Sequence, residues 1–248
     1  MKSRLVYAGL AAAYYLSWGW FAVVGCLLNL ACVPLLLLPS RLRPARTIRR
    51  TVRLLFRAWV WWFHVSRCLR IRWRGFDAPL PPGTVYIANH PTLLDATFLL
   101  ARLPDPVCVI KPRLMGNPAI GPVARLAGYA AGETDIELIR DVARSVAAGR
   151  SLLIFPEGTR TEPGTALGAL KPGYALIAGR ARAAVQLVVI RAAADLVPRR
   201  RPWWRPPDAL PSWAELTLDR RWEYDPERRT RDLTAEVERR LSEVLVAP

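Results

Sequence analysis

The longest pattern in the chain is a run without any charged residue, from position 5 to position 40, between Arg4 and Arg41. As one helix these 36 positions would measure roughly 54 Å at about 1.5 Å per residue, against a hydrocarbon core of about 30 Å. A straight perpendicular span does not fit that thickness, and Trp18-Gly19 and Pro34 offer possible breaks. The pattern therefore predicts a membrane-embedded segment, either a tilted span or a re-entrant helical hairpin.

An amphipathic pattern follows this uncharged run. Arginines recur at steps of mostly three and four residues, and apolar side chains fill much of the remaining surface; they are Arg46, Arg49, Arg50, Arg53 and Arg57, with Ile48, Val52, Leu55, Trp59 and Trp62. This spacing predicts an interfacial helix with its apolar side in the acyl boundary and its arginines at the lipid phosphates. The alternative is a helix packed on a soluble domain. Residues 41–74 carry eleven arginines and no acid, which favours the cytoplasmic side of a membrane.

Beyond residue 74, short apolar runs alternate with longer amphipathic ones. The runs at 85–88, 107–110, 151–155 and 185–191 predict strands, and those at 92–102, 117–126, 174–182 and 232–246 predict helices. Residues 134–137 form a capping box, which predicts the start of a further helix that ends near Gly149. Strands that alternate with helices favour a mostly parallel sheet with ligands at the carboxyl ends of its strands.

The predicted fold class is therefore α/β: a mostly parallel sheet flanked by helices, preceded by an N-terminal membrane-embedded helical segment and an interfacial amphipathic helix. We expect two parts, with the membrane anchor and the Arg/Trp-rich interfacial helix in 1–74 and the α/β domain in 75–248. The loop at 197–211, rich in Pro, Arg and Trp, is expected to make a second interfacial contact.

Composition narrows the class of partner. A hydrophobic fraction of 52%, a formal charge of +16 and ten tryptophans suit a membrane surface, where indoles lie at headgroup depth and arginines meet anionic lipid. Nucleic acid is the alternative partner of a basic protein, but the uncharged run has no use in a nucleic-acid binder. The four cysteines, Cys26, Cys32, Cys68 and Cys108, form no C-x-x-C pair. We expect all four to be buried, reduced thiols, and we expect no metal site.

One of the two histidines, His90, lies directly after the strand predicted at 85–88, and Asp95 follows five residues later. An imidazole can take a proton from an alcohol near neutral pH, and a nearby carboxylate can fix its tautomer and stabilise the imidazolium. The alternative interpretation of the same residues is a helix cap formed by Thr92 and Asp95, with a surface histidine in front of it.

A second segment, Phe155-Pro156-Glu157-Gly158-Thr159-Arg160, follows the strand predicted at 151–155. A glycine permits close backbone approach, and exposed N–H groups with a guanidinium suit a phosphate. Taken alone, this segment is equally compatible with a loop whose arginine is merely solvated.

Together the two segments resemble those of the membrane-bound glycerolipid acyltransferases, typified by lysophosphatidate (1-acylglycerol-3-phosphate) acyltransferase. The resemblance covers roughly residues 75–195 and rests on the N-H-x-x-x-x-D block at 89–95 and the F-P-E-G-T-R block at 155–160, in the family's order and near its usual separation. It implies that 75–248 is an acyltransferase catalytic domain. The reaction implied is transfer of an acyl group from acyl-CoA or acyl-carrier protein to a lysophospholipid hydroxyl, with 1-acylglycerol-3-phosphate the first candidate acceptor.

The resemblance also implies roles for individual residues. His90 would be the general base and Asp95 the residue that orients it. The acceptor-binding residues would be Asn89, Lys111, Glu157, Gly158, Thr159 and Arg160. No cofactor and no nucleic acid are implied; the partners would be membrane lipids and the acyl carrier. With the arginine-rich flank, this places the catalytic domain on the cytoplasmic face of the inner (cytoplasmic) membrane.

Two blocks depart from the family pattern. The second block usually contains an arginine thought to bind the acceptor phosphate, and no arginine stands in 128–134. The fourth block lacks its usual proline before the strand at 185–190. The acceptor therefore stays open between 1-acylglycerol-3-phosphate, another lysolipid, a lipid without phosphate and a hydroxylated specialised metabolite, and Arg125 and Arg140 are candidate replacements. A membrane lipid-binding scaffold with a degenerate site is the alternative to an enzyme.

Overall fold

The structure, a computed structural model, describes residues 2–132 and 136–246. Within these ranges the strands are β1 (Leu69–Arg74), β2 (Val85–Ala88), β3 (Pro106–Ile110), β4 (Ala130–Ala131), β5 (Ser151–Ile154), β6 (Val185–Ala192) and β7 (Ser212–Trp222). The α-helices are α1 (Lys2–Leu35), α2 (Ala45–Ser66), α3 (Asp95–Arg102), α4 (Pro112–Met115), α5 (Gly121–Ala127), α6 (Ile136–Ala147), α7 (Gly173–Ala181) and α8 (Thr230–Val246). A short 3₁₀ turn, Ser40–Leu42, precedes α2.

All these strands form one sheet in the order β1-β7-β6-β2-β5-β3-β4. Every neighbouring pair is parallel except β6 and β7, which are antiparallel. The predicted α/β class with a mostly parallel sheet is therefore confirmed. Because β2, β5 and β6 are parallel neighbours, the residues that follow them in sequence meet at one edge of the sheet.

Alternation along the central strands divides the core between the two faces of the sheet. In β2, Val85 and Ile87 pack on the side of α6, α7 and α8, whereas Tyr86 and Ala88 pack on the side of α2 and α3. All four side chains are fully buried. The short apolar run at 85–88 was predictable as a strand because a central strand is covered on both faces.

The sequence did not predict β1 or β7. β1 alternates apolar residues with arginines, and β7 alternates buried and more exposed positions over its first half, so a period of two was present in both. β1 pairs with β7 from Leu69 opposite Ser212 to Arg74 opposite Thr217. The sheet therefore begins before residue 75, where the sequence analysis set the start of the α/β domain.

Three helix predictions need adjustment. The helix expected over 92–102 begins at Asp95, because residues 92–94 form a turn around the Asp95 carboxylate. The helix expected over 117–126 begins later, as α5 at Gly121, and a separate short helix, α4, lies before it. The capping box at 134–137 lies partly outside the described residues, and α6 ends at Ala147, shortly before Gly149 with φ +89°.

Residues 5–35 of the uncharged N-terminal run lie in a single continuous helix, α1, which excludes the re-entrant hairpin. Trp18-Gly19 does not interrupt it, and Pro34 lies in its last turn. The part from Arg4 to Leu35 is long and apolar enough to cross a membrane by length and composition. One side of α1 nevertheless contacts the domain near both ends: the Tyr7 hydroxyl donates to the Pro207 carbonyl at 3.1 Å, and the Asn29 amide donates to the Ala119 carbonyl at 2.7 Å.

The four cysteines are all free, but Cys26 is exposed on α1 while Cys32, Cys68 and Cys108 are buried. The expectation of four buried thiols was therefore wrong at Cys26. The domain covers only one side of α1, and the apolar sequence around Cys26 could not reveal which side.

The apolar side of α2 packs on the domain. Ile48, Val52 and Trp59 are buried, and Trp59 stacks on Phe21 of α1 with ring centroids 4.3 Å apart. The expectation that these side chains enter the lipid was therefore wrong, because an amphipathic pattern does not specify what covers its apolar face. Arg49, expected at a lipid phosphate, is buried as well.

Arg49 joins three elements of the fold. Its guanidinium donates to both carboxylate oxygens of Asp105, at 2.6 and 3.1 Å, and to the Ala127 carbonyl at the end of α5, at 3.0 Å. Burial alone would raise the pKa of Asp105, but the hydrogen bonds and the charge of Arg49 outweigh it and hold that pKa below its usual range. A depressed carboxyl pKa stabilises the fold above the unfolded-state pKa, and this contribution is lost as the pH falls through the folded-state value.

We expect Arg49→Ala to destabilise the protein by about 1–2 kcal/mol at pH 7, because Asp105 is half-exposed and the pair is partly screened. The difference from wild type should shrink as Asp105 becomes protonated at acidic pH. Thermal unfolding in a neutral detergent, measured at pH 7 and pH 3, checks both effects. Arg50→Ala, which removes an exposed arginine from the same helix, is the matched control. Equal stability of the two variants at pH 7 would contradict the role of Arg49.

Candidate active site

The two sequence segments meet at the carboxyl ends of β2 and β5, which are adjacent in the sheet. His90 follows β2, and Phe155 and Glu157 follow β5. The Thr161 N–H donates to the His90 carbonyl at 2.8 Å, so the two loops are joined directly through their backbones. This is the edge at which an open parallel sheet binds its ligands.

His90 and Asp95 form a hydrogen-bonded pair. The distance from His90 Nδ1 to Asp95 Oδ2 is 2.8 Å, and the Asp95 side chain is fully buried while 17% of the His90 side chain is exposed. Asp95 also accepts the Thr92 N–H at 2.8 Å and the Thr92 hydroxyl at 2.6 Å. The capping-type contacts and the His–Asp contact therefore occur together, so the two interpretations of this segment do not exclude each other.

The surroundings of His90 fix the orientation of its ring. The Asp95 carboxylate accepts from Nδ1, which assigns the neutral-ring proton to Nδ1 and leaves a lone pair on Nε2. Phe155 stacks against the imidazole with ring centroids 4.0 Å apart and an interplanar angle of 17°. The result is a partly exposed imidazole with its basic nitrogen directed away from the carboxylate.

Glu157 is buried and binds protein groups with both oxygens. Oε1 accepts the His90 N–H at 3.0 Å and the Thr161 hydroxyl at 2.9 Å, and Oε2 accepts the Gly168 N–H at 2.9 Å. The residue as a whole is only 7% exposed. In this structure Glu157 therefore holds the loops around His90 in place, instead of presenting a carboxylate to the cleft.

Asn89 is likewise buried and bound to backbone. Its amide donates to the Ile190 carbonyl at 2.8 Å, and its side-chain oxygen accepts the Ile190 N–H at 2.8 Å. Asn89 thus continues the contact between β2 and β6 by one more position beyond the ladder. It sets the direction in which the chain leaves β2, immediately before His90.

Basic side chains surround the Gly158 turn. Gly158 has φ +67°, and a Cβ there would lie 3.3 Å from the Lys171 Nζ. Burial lowers the pKa of Lys111, and so do the positive charges of Arg113, Arg199, Arg160 and Lys171. We call Lys111, Arg160, Lys171 and Arg199 the cationic cluster. Mutual repulsion of these groups is relieved by a bound anion.

Arg160 links the site to the loop that follows β6. Its Nη1 donates to the carbonyls of Val197 and Pro198, at 3.1 and 3.0 Å. The Val197 carbonyl also accepts the Leu93 N–H at 3.1 Å. Val197 is fully buried with φ +46°, a conformation that is strained for a β-branched residue and that surrounding contacts must maintain.

Most of the predicted site residues therefore meet in one region. They are His90, Asp95, Asn89 and Glu157, with Gly158 and two members of the cationic cluster, Lys111 and Arg160. Thr159 is half-buried in the same turn. Of the candidate replacements for the family arginine, Arg125 donates to the Met115 carbonyl at 3.0 Å and Arg140 is exposed on α6. Part of the 128–134 stretch falls outside the described residues.

Sequence reasoning missed Thr161, Lys171, Arg199 and Val197 as parts of this region, and it named Thr92 only as part of a helix cap. Lys171 had a weak signal, since the chain contains only three lysines and this one follows the phosphate-type loop. Arg199 was hidden in a run of three arginines. No three His, Cys, Asp or Glu side chains among the described residues come together as a group that could hold a metal ion.

The fold is thus an α/β domain with a His–Asp pair and a group of basic side chains at the carboxyl edge of its sheet, where domains of this class bind their ligands. Residues 71–191 match a family model described as Acyltransferase. This segment, which carries both the 89–95 and the 155–160 block, belongs to the acyltransferase family.

Two similar proteins are consistent with this assignment. A 1-acyl-sn-glycerol-3-phosphate acyltransferase of Cocos nucifera is 33% identical over 113 residues, which cover 43% of this chain and 36% of that protein. The chain thus matches about a third of the length of this curated relative. The crystal structure of the 1-acyl-sn-glycerophosphate (LPA) acyltransferase PlsC from Thermotoga maritima superposes with a TM-score of 0.70 at 17% identity, covering 100% of this chain and 99% of that one. At 17% identity, this structural similarity shows that the two chains share a fold.

We expect Glu157→Gln to lower the free energy of unfolding by about 1–3 kcal/mol, because the amide replaces one acceptor oxygen with a donor that faces N–H and O–H groups. Chemical denaturation in neutral detergent measures the change. Glu227→Gln, at an exposed position after β7, should leave stability unchanged. A Glu157→Gln variant of wild-type stability that binds acceptor more weakly would instead support a direct contact between Glu157 and the acceptor.

Proposed function

We propose that this protein is an O-acyltransferase that moves a fatty acyl group from an acyl thioester to the hydroxyl of a lysophospholipid, most simply 1-acylglycerol-3-phosphate. The observation that carries the proposal is the His90–Asp95 pair at 2.8 Å, directly beside the cationic cluster. A base next to an anion-attracting group is the arrangement that a hydroxyl and a phosphate on one glycerol unit require. The name of the Cocos nucifera relative agrees with this acceptor.

His90 acts as the base. Its Nε2 takes the proton of the acceptor hydroxyl as the oxygen attacks the thioester carbonyl, and Asp95 stabilises the imidazolium that forms. The new C–O bond forms, the C–S bond breaks, and the imidazolium returns its proton to the departing thiolate. The reaction therefore releases a free thiol and regenerates neutral His90.

Direct transfer without an acyl-enzyme intermediate fits the surroundings of His90. Cys108 is the cysteine on β3, near this region of the sheet, and burial raises the pKa of its thiol to about 12. A thiol in that state is not a nucleophile near neutral pH. The acyl donor is acyl-CoA or acyl-carrier protein, and the basic surface of the chain suits the phosphates of the first and the acidic surface of the second.

The cationic cluster serves as the phosphate site for the acceptor. Lys111 follows β3, and Lys171 lies over the Gly158 turn after β5, so the two lysines approach the site from adjacent strands. They take the place of the arginine that the second family block lacks. Arg160, which holds the Val197 carbonyl, contributes charge at the same edge.

The chain works at the membrane surface, with the catalytic domain on the cytoplasmic face of the inner membrane. Because α1 contacts the domain from Tyr7 to Asn29, a perpendicular span would carry the domain into the hydrocarbon. An orientation of α1 close to the membrane plane avoids this and matches exposed apolar residues on its outer side, such as Leu16, Val23, Leu27 and Leu30. Trp203 and Trp204, both exposed, lie in the loop expected to contact the interface.

We expect His90→Ala to lower the acyl-transfer rate at least about 10²–10⁴-fold, because general base catalysis contributes a factor of that size. Purified protein with labelled acyl-CoA or acyl-carrier protein and lysophosphatidate provides the assay. His64→Ala, which removes the other histidine, is the control for folding and membrane recovery. Normal turnover in His90→Ala would exclude His90 as the base, and no turnover by wild type with any acceptor of a lysolipid panel would favour a scaffold.

We expect Lys111→Ala and Lys171→Ala each to raise KM for lysophosphatidate about tenfold, because each removes a charge-assisted contact with the phosphate. Turnover of a monoacylglycerol, which has no phosphate, should not change. Arg180→Ala, at an exposed position of α7, gives the matched loss of one positive charge. Equal loss of activity on both acceptors would contradict a phosphate role, and a wild-type preference for phosphate-free acceptors would redirect the proposal to another hydroxyl.

A further inference from the structure

A groove of about 690 Å³ opens between α2, β1 and the segment that precedes β2. Arg102, the last residue of α3, contributes to its wall. Asp95 begins the same helix at the active site, and eight helical residues span about 12 Å. The hydroxyl and phosphate of one lysolipid headgroup are only a few bonds apart, so the phosphate of an acceptor whose hydroxyl is at His90 is expected at the Asp95 end of α3 and not at its Arg102 end.

Three arginines line this groove. Arg53 and Arg57 come from α2 and Arg102 from α3, and the acid in the lining is Asp77. Among the residues that the structure describes, none of the three arginines forms an ion pair. Arg53 is fixed in place by donating to the Arg102 carbonyl at 3.1 Å. Burial lowers the pKa of Arg53, and the charges of Arg57 and Arg102 lower it further, so the groove concentrates positive charge that is not neutralised within the fold.

Apart from His64, the rest of the lining is apolar and aromatic. Trp61, Phe76 and Leu80 contribute side chains to it, and the Arg102 guanidinium lies 4.7 Å from the ring centroid of Trp73. This stacking presents the guanidinium at the edge of an apolar wall. The groove is therefore basic where the three arginines lie and hydrophobic along the rest of its wall. This combination suits an anionic amphiphile.

The apolar lining continues onto the outer surface of α2. Leu54, Ala58, Trp61 and Val65 are exposed and recur at three- and four-residue steps, which places them on one face of the helix. Trp61 belongs both to this face and to the groove, with a relative exposure of 62%. A ligand in the groove can therefore extend along α2 with its apolar part against this face.

We propose that this groove is a second lipid site, which binds the headgroup phosphate of an anionic phospholipid between Arg53, Arg57 and Arg102 and lays its acyl chains against Trp61 and Phe76. The bound lipid is a membrane component and not a reactant, so the site does not depend on the acyl-transfer proposal. It selects anionic membrane regions and helps to hold α2 at their surface. A concave, partly aromatic site favours a lipid over an acidic protein surface, which would leave the apolar walls uncovered.

The test uses the full chain in neutral detergent micelles that contain phosphatidylglycerol, phosphatidylcholine or both, with retained lipids counted by native mass spectrometry. Wild type should retain phosphatidylglycerol in preference to phosphatidylcholine. Each arginine near an anionic lipid is worth roughly a fivefold change in affinity. The double variant Arg57→Ala, Arg102→Ala should therefore bind phosphatidylglycerol about 25-fold more weakly. Arg180→Ala carries the control loss of charge and should bind like wild type.

Arg57→Glu keeps the test valid if the double variant unfolds, because Arg57 is exposed and makes no ion pair within the described residues. It should abolish the preference for phosphatidylglycerol at an unchanged melting temperature. Undiminished preference in the arginine variants, or an equal loss in Arg180→Ala, would overturn the proposal. Binding of acyl-carrier protein that requires Arg57, without any lipid preference, would overturn it in favour of a protein partner. Because no turnover is measured, the result is independent of the catalytic role of His90.

Discussion

The geometry of the site depends on one buried carboxylate. Glu157 lies 67 residues from His90 along the chain, yet its oxygens accept the His90 N–H, the Thr161 hydroxyl and the Gly168 N–H. A buried carboxylate is costly unless donors satisfy it, so burying Glu157 requires all three segments to converge. The loop after β2 and the loop after β5 are thereby locked together, and the ring stacking of Phe155 on His90 follows from that arrangement.

The choice of donors explains how the site keeps its positive charge. Asp95 and Glu157 are both buried, and their hydrogen bonds come from His90, threonine side chains and backbone N–H groups, not from lysine or arginine. The two acids are satisfied by hydrogen bonds instead of ion pairs, so Lys111 and Lys171 are left to attract an anion. Arg199 is different, because Glu162 pairs with it at 2.5 Å and partly offsets its charge.

Short sequence patterns were enough to predict the central strands and the His90–Asp95 turn. The edge strands and the position of Lys171 depend on contacts between distant residues, which such patterns do not contain. The strand at 85–88 and the His90–Asp95 turn could be read from a few consecutive residues, because a central strand is apolar throughout and the pair closes within one turn. β1 and β7 pair across most of the chain, and no short window contains that information. Lys171 reaches the site through a contact between distant positions of a loop, in which its N–H donates to the Pro156 carbonyl at 2.9 Å. The amphipathic pattern of α2 was correctly interpreted as a helix, but its buried apolar side, with Ile48, Val52 and Trp59, packs on protein and not on lipid.

The N-terminal helix and the site are connected through the loop that follows β6. The Tyr14 hydroxyl of α1 donates to the Trp203 carbonyl at 2.7 Å, and Trp18 packs on the Trp203 ring at 5.1 Å between centroids. A few residues earlier the Val197 carbonyl accepts from Arg160 and from Leu93, in a backbone conformation that isolated valine avoids. Contacts on both sides are needed to hold such a conformation. Removal of α1 would therefore affect more than membrane attachment, because it would release one side of the loop whose other side positions Arg160 next to the His90–Asp95 pair.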